Sequence, residues 1–166
     1  MLEAWLNFAI VIFVQFLLFI ICAFCQKRLS DVPRILGLGM LIGIVMGLSF
    51  DLVLGKFFGL SSYTFGFSLF FLVINATLAY GIFAANILLL QHIRLPYFIL
   101  WNIVIVVVYE IINHFFRVWT WEFLLPRFEF LMVLLVGYLG GAIFVAVISH
   151  VFLGRRFFFI DNLFKK

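Results

Sequence analysis

Long apolar runs broken by short polar patches set the pattern of this chain. A bilayer core about 30 Å thick needs about 20 apolar residues of helix. On that measure five runs qualify, roughly 5–25, 35–55, 65–90, 96–117 and 129–152. No stretch alternates with the two-residue period of a membrane barrel strand. The pattern predicts an all-α fold, a polytopic membrane helix bundle of about five transmembrane helices in a single domain over residues 1–166.

Composition agrees. The 166 residues are 67 % hydrophobic and 11 % charged, where a soluble domain carries about 25 % charged residues. A soluble globular protein is thereby excluded. The charges that remain fall between the runs. Lys27, Arg28, Arg34, Arg94, Arg155, Arg156, Lys165 and Lys166 lie on one side, and Lys56, Arg117 and Arg127 on the other. The richer side is expected in the cytoplasm, with the N-terminus outside, the C-terminus inside, and the protein in the cell membrane of a prokaryote. The net charge of +4 is explained by topology, so no nucleic-acid partner is expected. The first run has no basic stretch before it and no cleavage site, and reads as a retained span.

The polar residues inside the spans carry the candidate chemistry. In span two, Gly39, Gly43, Gly47, Asp51 and Gly55 recur every four residues, one drifting helix face. Small residues at this spacing admit a neighbouring helix, and Asp51 lies in their register. Span three sets Asn75, Ala79, Ile82 and Asn86 on one face. Span four groups Asn102, Tyr109, Glu110, Asn113 and Arg117, with His114 at the edge of the stripe. Span five offers Gly137, Gly140 and Gly141 for close packing. An acid within a span is costly and by default faces a protein interior or cavity, so Glu110 and Asp51 are the first suspects for function. Cys22 and Cys25 read as free thiols. His92, His114 and His150 are scattered, and neither metal nor cofactor is expected.

Spans two and three echo spans four and five. Phe50-Asp51, Tyr63-Thr64-Phe65 and Ala79-Tyr80-Gly81 are followed, at offsets of 59, 58 and 58, by Tyr109-Glu110, Trp121-Glu122-Phe123 and Gly137-Tyr138-Leu139. The implied units, 35–92 and 95–152, are parallel repeats, an arrangement that commonly builds a ligand site between its halves. Asp51 and Glu110 would then be related by a pseudo-two-fold axis along the membrane normal. A protonated carboxyl can give a proton to an apolar substrate, and its conjugate base can take one back. Aromatic faces nearby would stabilise a carbocation. The plainer alternative is a polar pin between helices, with the acid tied to Asn75, Asn113 or Arg117.

The run Tyr109-Glu110-x-x-Asn113, with Trp119-x-Trp121, Pro126, Glu129 and Gly137-Tyr138-x-Gly140, resembles small carotenoid-processing membrane proteins of the lycopene-cyclase-domain and hydratase type. The resemblance covers roughly residues 45–145. It implies a long isoprenoid or carotenoid ligand, Asp51 and Glu110 as catalytic acids, and a pocket lined by Tyr63, Trp119 and Trp121. Asn75, Tyr109, Asn113 and His114 join it as substrate-binding candidates from the polar stripes. The family's Pro-Glu-Glu element has no counterpart in Ile74-Asn75-Ala76-Thr77-Leu78. A shorter stretch, Gly47-Leu48-Ser49-Phe50-Asp51-Leu52 with Gly59-Leu60, is similar to rod-shape-determining membrane subunits of the cell-wall elongation machinery, which implies a non-enzymatic scaffold. A small solute transporter subunit, with Asn75, Asn102, Glu110 and His114 along a polar path, is a third expectation. The glycine-rich faces of spans two and five would serve a homo-oligomer or a membrane partner.

Overall fold

The computed structural model describes residues 2–57, 59, 61–64, 66, 68–121, 127–154 and 156–163. Five stretches are long and apolar enough to cross a membrane: Leu2–Cys25, Leu29–Val53, Leu69–His92, Leu95–Phe116 and Leu135–Leu153. Their α-helical parts belong to α1 (Leu2–Cys25), α2 (Val32–Phe50), α3 and α4 (Leu69–Asn75 and Gly81–Leu89), α5 (Leu95–Phe116) and α6 (Arg127–Leu153). A short α7 (Phe158–Leu163) follows. The chain is thus a multi-pass helical membrane protein.

Local chemistry explains the ends. Pro33 and Pro96 stand in the first turns of α2 and α5, where a missing N–H costs nothing. The third span opens at Leu69, later than the apolar run suggests, because Ser68 caps it by accepting from the Phe71 N–H at 3.3 Å. At the far end of α5, Arg117 turns left-handed, with φ 49° and ψ 48°, and its N–H closes on the Asn113 carbonyl.

Spans two and three are not uniform α-helix. From Asp51 to Phe57, and again from Ala76 to Tyr80, the backbone winds as π-helix. Such segments are rare and are frequent at functional sites. Beyond the first of them, β1 (Ser61–Tyr63) pairs antiparallel with β2 (Trp119–Trp121), which follows α5. The partners are Ser61 with Trp121, Ser62 with Thr120 and Tyr63 with Trp119.

The core forms around α4, where every residue from Gly81 to Leu89 is buried. Its closest neighbour is α2. A Cβ at Gly39 would lie 2.6 Å from the Gly81 carbonyl oxygen, one at Gly43 would overlap the Gly81 backbone, and one at Gly47 would lie 2.8 Å from Ala76 Cα. The glycine face of span two therefore meets the chain's own third span. Gly137, Gly140 and Gly141 behave differently: a Cβ at any of them would meet nothing within 4 Å among the described residues, so the expected close packing of span five is not made there. Gly137 and Gly141 share the four-residue spacing of α2, but no opposing backbone among the described residues approaches them. At the opposite end of the bundle from the ribbon, Phe157 and Phe159 are buried, the latter against Phe98 at 4.7 Å. Cys22 and Cys25 are free thiols, as expected.

Candidate functional site

Asp51 sits where α2 passes into its π-helical turn, and only 2 % of it is exposed. Three donors converge on its carboxylate. The Tyr63 hydroxyl donates to Oδ1 at 2.6 Å, the Tyr80 hydroxyl to the same oxygen at 2.9 Å, and the Asn75 amide to Oδ2 at 3.2 Å. The Asn75 amide also reaches the Tyr63 oxygen at 3.1 Å. Each donor comes from a different device. Tyr63 is carried in from β1, with Phe71 edge-on to its ring at 5.2 Å. Asn75 ends α3. Tyr80 ends the π-helical segment.

That segment matters for the geometry. Residues five apart on an α-helix point about 140° away from each other. The i→i+5 winding of a π-turn brings them toward one side. Asn75 and Tyr80, five apart, thus reach the same carboxylate.

The donors are two phenols and an amide, and among the described residues no Lys or Arg pairs with Asp51. The Tyr63 phenol, which stands outside the spans, is held well above the usual tyrosine range. Burial is the main cause, followed by the neighbouring Tyr80 and Asp51 and the bond it donates.

Glu110 has its own tyrosine. Tyr138 of α6 donates to Glu110 Oε1 at 2.8 Å, and Phe83 stands edge-on to the Tyr138 ring at 5.9 Å. Tyr80 on Asp51 and Tyr138 on Glu110 are thus two separate tyrosine–carboxyl pairs.

The other residues singled out from the sequence fall apart from this centre. Tyr109 is buried and its oxygen accepts from the Asn86 amide at 3.2 Å, between α5 and α4. Asn113 is a structural clamp. Its oxygen accepts from the Val118 and Trp119 N–H groups at 3.1 and 3.0 Å, and its amide donates to the Trp119 carbonyl at 2.8 Å. His114 is exposed on the side of the helix, beside Phe115. Trp119 is buried in a second apolar cluster with Phe8, Val11 and Phe71. Trp121 pairs through its backbone with Ser61, and its side chain lies outside the described residues.

Of the sequence-predicted set, the structure thus brings together Asp51, Tyr63 and Asn75, and sets Glu110 against Tyr138. Sequence reasoning missed Tyr80 and Tyr138 as ligands of the acids. The signal was present, since each stands in the repeat at a 58-residue offset from the other. No family model, no curated protein and no solved structure matches this chain.

Proposed function

We propose that this chain is built of two parallel repeats, 35–92 and 95–152, and binds a long isoprenoid or carotenoid within the bilayer. On this reading it converts its ligand by proton transfer, with Glu110 as the acid and Asp51 as the base. One observation carries the reading: Tyr80 bonds Asp51 as Tyr138 bonds Glu110, at matching places in the two repeats. Intramembrane carboxyls held by matched partners are costly to keep and mark function more often than packing.

The environment supports the chemistry. Asp51, nearly enclosed and met by three donors, is suited to accept. Glu110 is less deeply buried, as a group that must meet substrate should be. Tyr63 and Tyr138 each touch one carboxyl, with Phe71 and Phe83 edge-on to their rings, and such aromatic rings would favour a cationic intermediate. With the basic loops in the cytoplasm, the β1–β2 ribbon closes the outer end.

The direct test is to purify the protein in mild detergent and extract it with organic solvent. A visible polyene spectrum in stoichiometric amount is the expected result. Repeated extracts that hold phospholipid alone would overturn the reading.

A further inference from the structure

The end of the bundle away from the ribbon is drawn together by contacts between its turns. Arg28, just after α1, holds Asp31 through Nε and Nη2, both at 3.0 Å. With its carboxamide turned to accept, Gln91, in the turn after α4, takes bonds from Arg28 Nη1 at 2.8 Å and from His92 Nε2 at 3.0 Å. The Phe98 ring of α5 meets Phe159 of α7 at 4.7 Å, and Asp161 of α7 stands 3.9 Å from His150 of α6. These contacts gather the charged ends of the helices on one face.

The charges on that face do not balance. Its described acids, Asp31 and Asp161, are engaged by Arg28 and His150. Lys27, Arg34, Arg94 and Arg156 are exposed, and none of them pairs with a carboxylate among the described residues. Arg34 and Arg94 stand at the N-terminal ends of α2 and α5, and neither helix has an acid in its first turn. The helix dipole is positive there, so it adds to their charge and makes a lone cation unfavourable unless an anion comes near. We propose that these four residues form a collar that binds the anionic headgroups of phospholipids in the surrounding leaflet.

The occupant follows from where the cations stand. Leu29 opens the second span and Leu95 opens α5, while Leu153 ends the fifth span. Lys27 lies just before the first, Arg94 immediately before the second, and Arg156 shortly after the third. Leu29, Leu95, Tyr97 and Phe158, close to them in the chain, are 37–60 % exposed. Cations level with an exposed apolar rim belong at the depth of lipid phosphates, with the apolar groups in hydrocarbon and the charges in the headgroup layer. An acidic protein approaching from water would meet the charges and leave the apolar side chains uncovered. Attraction to headgroups grows with each Lys or Arg near the surface and is screened by salt. The collar does not depend on the polyene reading, since Asp51 and Glu110 take no part in it.

Spin-labelled phospholipids measure the preference directly, with the full-length protein in phosphatidylcholine liposomes. At low salt the fraction immobilised against the protein is expected to be several-fold greater for a phosphatidylglycerol label than for a phosphatidylcholine label. The two should converge in about 1 M salt. Arg94→Gln is expected to lower the phosphatidylglycerol preference about twofold or more. Lys56→Gln removes the same charge near the ribbon and should change the preference far less. Where Arg94→Gln does not yield folded protein, Arg156→Gln carries the same comparison. Equal immobilisation of the two labels in the parent, or equal effects of Arg94→Gln and Lys56→Gln, would overturn the proposal. An acidic protein that elutes with the parent but not with Arg94→Gln, with no lipid preference in either, would overturn it too and give the collar to a protein partner.

Discussion

Ser62 and Thr120 face each other at the centre of the two-stranded ribbon, 58 positions apart in sequence, and their hydroxyls share a hydrogen bond. On either side, Ser61 meets Trp121 and Tyr63 meets Trp119. With an offset of 58, Ser62 pairs with its own counterpart, while Ser61 pairs with the counterpart of Tyr63 and Tyr63 with the counterpart of Ser61. That is the register two equivalent segments adopt about a two-fold axis, and the proposed repeats draw support from it.

The ribbon should be covalently trappable. Opposed residues of an antiparallel pair have Cα atoms about 4.5–5.5 Å apart, within disulfide range. Ser62→Cys with Thr120→Cys, in a Cys25→Ser background, is expected to cross-link under mild oxidant, as read by mobility on a non-reducing gel. Free thiols in a folded, monodisperse preparation would contradict the pairing.

Glycines of the same spacing should differ sharply in their tolerance. Gly43→Ala forces a methyl into the Gly81 backbone and is expected to cost about 1–3 kcal/mol or more. Gly137→Ala enters open space and should stay within about 0.5 kcal/mol. Thermal unfolding in detergent measures both, and equal costs would refute the packing of α2 on α4.

Asn113 and His114 are neighbours with opposite expectations. Asn113→Ala removes three hydrogen bonds from the buried turn after α5 and should cost roughly 2–4 kcal/mol. His114→Ala, at an exposed position, should change stability by about 0.5 kcal/mol at most. A large effect of His114→Ala on ligand binding with unchanged stability would restore its place in the site.

Tyr63 gives a pH test. Its phenol keeps its proton in the folded protein beyond the range where the unfolded chain releases it, near pH 10. The unfolded state therefore gains from rising pH and the folded state does not. The stability due to this group is whole below pH ~10 and declines above it. Unfolding midpoints taken between pH 8 and 11 should fall more steeply for the parent than for Tyr63→Phe. Parallel curves would show that the phenol is not held as described.

Glu110→Gln is expected to abolish conversion of bound polyene while the helical signal and elution profile stay as in the parent. Turnover at the parent rate would remove Glu110 from the chemistry.

Much of the fold was legible because membrane spans are a matter of length and apolarity, which the chain states openly. The buried face of span three, Asn75, Ala79, Ile82 and Asn86, follows from helical period alone, and all four are buried. The placement of Asp51 on the glycine face follows likewise. Period does not reveal what stands opposite a face, so Gly137 and Gly140 read like Gly43. It also assumes one helix type. The π-winding of Ala76–Tyr80 turns Tyr80 toward Asp51, where an α-helical projection from Asn75 sends it elsewhere. Asn113 looked like a member of the polar stripe because an asparagine that clamps a turn and one that meets a ligand are the same letter. Only the left-handed Arg117 after it shows which it is.

The contact of Gly43 with Gly81 sets backbone against backbone between two consecutive spans, with no side chain in between. Spans two and three can therefore zip together as soon as both have left the translocation channel, before spans four and five are synthesised. The third span would then rarely be exposed to lipid, and its two asparagines would be sheltered from the outset. A truncated chain ending after His92 should already insert as a stable hairpin with α1 alongside, and the later spans would assemble upon it as on a template.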